Sequence, residues 1–126
     1  MWFKFELRRR RQSFITLAAS ALLLVPGFAQ QYYGSLTGMI TDASGSPVVG
    51  AKVQITSLNK GTSVSFETNE QGIYRAANLT PDTYRLEVTM SGFKRVTREP
   101  VLVESNRVLT VSMELEVGDL NQSIEV

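Results

Sequence analysis

From Leu36 onward, apolar and polar residues alternate with a period of two, and clusters of Gly, Pro, Asn, Asp and Ser interrupt the alternation at intervals of roughly ten residues. Seven such runs can be read. "SLTGMITD" (35–42) is the first and "AKVQITS" (51–57) the second, with Ala51, Val53 and Ile55 on one face and Lys52, Gln54 and Thr56 on the other. "SVSFET" (63–68) points Val64 and Phe66 inward, and "GIYRAANL" (72–79) offers Tyr74 and Leu79 to a core. "TYRLEVTMS" (83–91) alternates most clearly, setting Tyr84, Leu86, Val88 and Met90 against Arg85, Glu87 and Thr89. "GFKRVTREPVLVES" (92–105) reads as one strand interrupted near Pro100, because a proline cannot donate to a ladder and belongs on an edge or a bulge. "RVLTVSMELEV" (107–117) puts Leu109, Val111, Met113, Leu115 and Val117 on a single face. No segment sustains a helical period, so residues 36–117 are expected to form an all-β domain of seven strands. The tail "GDLNQSIEV" (118–126) loses core density and reads as a linker or extension.

The breaks between runs have their own chemistry. In "GMITDASGSPVVGAKVQI" (38–55), Asp42 can accept bonds from the amides that follow it, Gly45 supplies a left-handed position, Pro47 stiffens the return and Gly50 swings the chain into the next strand. Gly72 in "NEQG" and Gly92 in "SGFK" serve further turns, and Pro81 in "LTPDTY" presets φ for the turn into the fifth run.

The amino-terminal residues follow a different pattern. A basic start, "MWFKFELRRRRQ", precedes the apolar run "FITLAASALLLV" and the exit "PGFAQQ", the three parts of a secretory signal peptide. The apolar run is short of the roughly 20 residues that span a bilayer. Cleavage is expected after Ala29, giving a signal segment 1–29 in helical form and a short leader 30–35. Removing residues 1–29 takes five of the 13 basic residues and one of the 12 acidic ones, leaving eight against eleven and a net charge of −3. The scattered charges of such a domain lack the clustered Lys and Arg that nucleic acid demands. Export from the cytoplasm is the expected outcome of such a segment.

There is no Cys and no His in the chain. An exported domain of this kind must be held by its core alone, and zinc sites, Cys nucleophiles and Ser-His-Asp triads are removed from consideration.

The spacing of the motifs resembles a known family. "GMITDASGSPVVGAKVQI", "TNEQGIY" and "LTPDTYRLEVTMSGF" are similar to the carboxypeptidase regulatory-like domain, a small transthyretin-like (prealbumin-like) β-sandwich of Greek-key type. Gly38, Asp42, Gly45, Pro47, Gly50, Ala51, Thr68, Gly72, Tyr74, Leu79, Pro81, Tyr84, Gly92 and Phe93 match the family pattern over about residues 35–115. Asn69 stands where the family usually has Asp and is expected to keep the local hydrogen bonding of its turn, whereas Asp82 stands where the family usually has Gly and implies a different turn there. The resemblance implies a bacterial exported protein at the periplasm or outer membrane, with membrane contact only through the signal segment or a larger receptor, and an arrangement similar to the amino-terminal extension of TonB-dependent outer-membrane receptors. It also implies a partner in the envelope or a following receptor domain, and by analogy with carbohydrate-binding-like sandwiches it keeps a sugar ligand open.

Candidate chemistry is sparse. "SLNK" (57–60) has the S-x-x-K spacing of a Lys-activated serine, but that chemistry needs one helical turn and companion motifs. Asp42, Glu70, Asp82 and Glu99 stand at loop ends without the dense acidic spacing of a calcium cage. Asn78-Leu79-Thr80 and Asn121-Gln122-Ser123 fit the glycosylation sequon, a pattern that recurs by coincidence. For sugar stacking, the one Trp falls in the signal segment, Tyr74 and Tyr84 read as core, and Tyr32 and Tyr33 remain in the leader. The expectation is therefore a non-enzymatic interaction or spacer module with no cofactor and no metal, the alternative being a carbohydrate-binding module.

Overall fold

The computed structural model describes residues 32–126. The expected signal segment 1–29, its helix and the Ala29 cleavage site lie outside the described residues.

Among the described residues nine strands follow one another: β1 (Gly34–Asp42), β2 (Lys52–Ser57), β3 (Ser63–Glu67), β4 (Ile73–Leu79), β5 (Asp82–Thr89), β6 (Arg95–Val103), β7 (Val108–Thr110), β8 (Met113–Leu115) and β9 (Ser123–Glu125). They form two sheets. In the smaller, β1 pairs antiparallel with β4 on one side and parallel with β7 and then β8 on the other. The larger has the order β3-β2-β5-β6-β9, antiparallel except for the parallel pair β6–β9. The inward faces of both sheets contribute to one buried cluster, with Leu36 and Ile40 from β1, Val53 and Ile55 from β2, Leu86 and Val88 from β5, and Leu115 from β8. This is the core expected of an all-β sandwich whose strands bury every second residue.

The strand count corrects the expected seven, and for two physical reasons. The final run is split at Val111–Ser112, where the backbone leaves the ladder. The Val111 amide donates to the Thr37 carbonyl (2.8 Å), the buried Tyr74 hydroxyl donates to the Val111 carbonyl (2.6 Å), and the Ser112 hydroxyl accepts from the Met39 amide (3.1 Å). Gly38 makes this close passage possible, since a Cβ there would overlap the Val111 carbonyl oxygen. The second reason is β9, formed by residues 123–125 of the segment expected as a linker.

Three side chains depart from the faces expected of them: Val64 is exposed on β3, the outer strand of the larger sheet, Leu109 is partly exposed on β7, and Val117, which lies past the end of β8, is largely exposed. Around Pro100 the strand is continuous. Glu99 and Pro100 together stand opposite Arg85, between the pairs Tyr84–Val101 and Leu86–Arg98, so the proline sits in a bulge.

Candidate functional site

The corner between β1 and β2 is built around one carboxylate. The Oδ1 of Asp42 accepts from the Ser44 amide (2.9 Å), the Ser44 hydroxyl (2.6 Å) and the Ser46 amide (3.0 Å). The Ser44 hydroxyl and the two amides hold the Asp42 carboxyl below its usual range, because each stabilises the charged form. Gly45 (φ 82°) and Gly50 (φ 76°) take left-handed conformations, and Pro47 bridges back to Thr41. Among the described residues, the donors to this carboxylate come from Ser44 and Ser46, within the next four positions.

Below this corner lies a second turn that supports it. Gly72 has φ 74°, its carbonyl accepts from the Ile40 amide (2.8 Å), and a Cβ there would stand 2.7 Å from the Ile40 carbonyl oxygen and 2.8 Å from the Pro47 Cβ. Asn69 accepts from the Gln71 and Ile73 amides, both at 3.0 Å, so its amide oxygen does the work a carboxylate would do in that turn. The buried Thr68 hydroxyl donates to the Val48 carbonyl (2.6 Å) and accepts from the Ala51 amide (2.8 Å), which satisfies two backbone groups inside the corner.

A second carboxylate gathers residues distant in sequence. The buried Ser57 hydroxyl donates to the Oδ2 of Asp82 (2.6 Å), while Oδ1 accepts from the Asn59 side chain and from the Thr83 amide (2.7 Å). The Ser57 hydrogen bond, then those of Asn59 and Thr83, lower the Asp82 carboxyl, with the Lys60 charge adding a little. Asp82 begins β5 and is not a left-handed residue; the left-handed non-glycine position nearby is Asn78 (φ 58°). This cluster also decides the "SLNK" question. It is the backbone amide of Lys60, not its ammonium, that reaches the Ser57 oxygen (3.0 Å), and the hydroxyl proton is given to Asp82. Ser57 thus closes a turn and is poorly placed to attack a substrate. Sequence inspection missed the Ser57–Asp82 pair, since 25 residues separate its members and no local spacing links them.

The remaining candidates occupy turns and faces. Pro81 lies between β4 and β5, where the Tyr84 hydroxyl donates to the Thr80 carbonyl (2.6 Å); burial raises the Tyr84 phenol, and the Asp82 charge adds to the shift. Gly92 (φ 85°) turns the chain between β5 and β6, with the Phe93 amide on the Met90 carbonyl (3.1 Å). Glu99 pairs with Arg85 (2.6 Å) on the outer face of the larger sheet, beside the Arg95–Glu87 pair (3.0 Å). Among the described residues no three acidic groups come together to hold a metal ion, and no helix is long and apolar enough to cross a membrane.

The outer face of the smaller sheet is different again. Ser35, Thr37, Arg75, Ala77 and Val108 line a shallow depression of about 320 Å³, open to solvent and largely apolar. Among the described residues that line it, Arg75 is the one charged group, beside the hydroxyl residues Ser35 and Thr37.

A sequence model of the carboxypeptidase regulatory-like domain matches residues 35–116. The chain belongs to that family. Over 117 residues it is 30% identical to the TonB-dependent transporter Oar of Myxococcus xanthus, which takes in 92% of this chain and 11% of the transporter. Its fold is similar to that of the minor pilin GBS52 of Streptococcus agalactiae, with a TM-score of 0.58 at 20% identity over 70% of this chain and 46% of that one. It is also similar to hydroxyquinol 1,2-dioxygenase of Pseudomonas putida, with a TM-score of 0.54 at 7% identity over 72% of this chain and 58% of the other. Such identities show a shared fold alone, and a fold common to a pilin and a dioxygenase assigns no activity.

Proposed function

We propose that this carboxypeptidase regulatory-like domain is an exported, non-enzymatic module of the bacterial envelope that works by presentation, offering its loops and sheet edges to an envelope protein or orienting a receptor domain that follows it. The observation that carries the reading is where the polar groups go. The carboxylates with lowered proton affinity, Asp42 and Asp82, are spent on the backbone and side chains of their own corners, and the nucleophile candidate Ser57 is buried and donates to Asp82. Identity to a TonB-dependent transporter over 92% of the chain supports the envelope location.

Two measurements test this. A phosphatase active only outside the cytoplasm, fused after Val126, is expected to be active when residues 1–29 are present and silent when they are deleted. Calorimetric titration with a glycan panel is expected to give no saturable heat. Saturable binding that disappears when Tyr32 or Tyr33 is replaced by Ala would put the carbohydrate-binding reading in place of this one.

A further inference from the structure

The two parts of the chain that follow β6 are held very differently. Strand β8 and the two residues that join it to β7 bury Val111, Met113 and Leu115 completely or nearly so. Strand β9 is three residues long, lies past the family match that ends at residue 116, and anchors itself with one half-buried side chain, Ile124. Its register is nevertheless defined. Ile124 stands opposite the buried Val96, and Glu125 stands opposite Thr97 on the outer face. At its two ends the Arg95 amide donates to the Gln122 carbonyl (2.9 Å) and the Val126 amide to the Thr97 carbonyl (2.9 Å).

Strand β9 covers only the first third of the β6 edge. Along the rest, from Arg98 to Val103, β5 is the sheet partner of β6 among the described residues, and Pro100 in its bulge removes a donor from that stretch. An open edge is a template for another chain, and proteins blunt such edges with prolines or bulges or cover them. Here the proline and bulge blunt one part and the tail covers the other, which is the part with regular backbone geometry.

We propose that residues 122–126 are a detachable strap that closes the Arg95–Thr97 edge of β6, and that the vacated edge takes up an extended segment of another polypeptide with the strap's own pattern, an aliphatic residue followed by an acidic one. The aliphatic side chain fills the place of Ile124 opposite Val96, and the acid takes the place of Glu125 opposite Thr97. Backbone pairing supplies the affinity and these two positions the selectivity. This inference rests on the presentation reading above, but its test reads the edge directly and does not depend on export or on sugar binding.

The test uses the full chain carrying Ile124→Asp, with hydrogen exchange read at the Arg95 amide and at core amides such as that of Leu86. The Arg95 amide is expected to exchange about tenfold or more faster while the core stays protected, as for a local opening. A synthetic peptide of residues 121–126 should then restore Arg95 protection saturably, and the same peptide with Asp in place of Ile124 should not. Should Ile124→Asp fail to fold, Glu125→Lys, at an exposed position, should give a smaller acceleration that the wild-type peptide likewise reverses. Unchanged Arg95 exchange in both variants, failure of the peptide to restore protection, or association of the variant with its own copies in preference to the peptide each overturns the proposal.

Discussion

Asp42 and Asp82 both stand at an end of a strand, and both carry a carboxylate held by hydroxyl and amide donors, yet they stabilise different things. The donors on Asp42 come from Ser44 and Ser46, so its bonds shape one turn and nothing beyond it. The donors on Asp82 come from Ser57 and Asn59 as well as the adjacent Thr83, so its bonds tie the β2–β3 connection to the start of β5. The Asp42 corner gains its wider coupling from elsewhere: Gly72 and the buried Thr68 hold it to the next turn. One carboxylate organises a local loop that other residues dock, and the other is itself the docking contact.

The most severe way to break the Asp42 corner is from beneath. Gly72→Val forces a β-branched residue into φ 74° and drives its Cβ into the Ile40 carbonyl and Pro47; a loss of more than about 3 kcal/mol is expected, measured as a fall in the urea midpoint at constant m value. Next comes Ser57→Ala, which takes from Asp82 its buried donor and from the Lys60 amide its acceptor. A loss of about 1–3 kcal/mol is expected, with faster hydrogen exchange at Lys60 and Gly61 as the local sign.

Gly50→Val sharpens the contrast with Gly72. Its φ is as positive, 76°, but a Cβ there meets nothing within 4 Å. Its cost should be conformational strain alone, roughly 1–2 kcal/mol, so a loss equal to that of Gly72→Val would show that contact contributes little at either glycine.

The smallest expected effect is the dependence on acid. Both carboxyls are lowered in the folded state, so between folded and unfolded values the unfolded chain binds more protons and stability rises with pH. Their contribution is complete above the ordinary carboxylate value of 3.8 and is lost as the pH falls through the lowered folded values. Asp42→Asn and Asp82→Asn should each flatten the decline of the melting temperature in that acid range. Only Asp82→Asn should also speed exchange in the β2–β3 connection, and the same response to Asp42→Asn would erase the distinction drawn between the two corners.

How much of this was legible follows from distance along the chain. The strands β1, β2, β4 and β5 were readable because alternation repeats over six to nine residues in each and one face must be buried. The split of the last long run was not, because it depends on Tyr74 reaching the Val111 carbonyl across 37 residues. Strand β9 was hidden for a related reason: three residues with one half-buried aliphatic give no period, and their pairing becomes favourable only once the β6 edge exists beside them. The Asp42 turn could be anticipated from an acid followed by Ser, Gly and Pro, whereas the partner of Asp82 could not.

By itself, then, the sequence determined the all-β class, the inward faces of the regular strands and the chemistry of the short turns, since each depends on residues within a few positions of one another. Tertiary structure alone decided that Ser57 gives its proton to Asp82, that Gly38 makes room for the Val111 carbonyl, and that the tail returns to cover β6. Those outcomes require backbone and side chains far apart in the chain to meet at hydrogen-bonding distance. Only the closed sandwich brings them there.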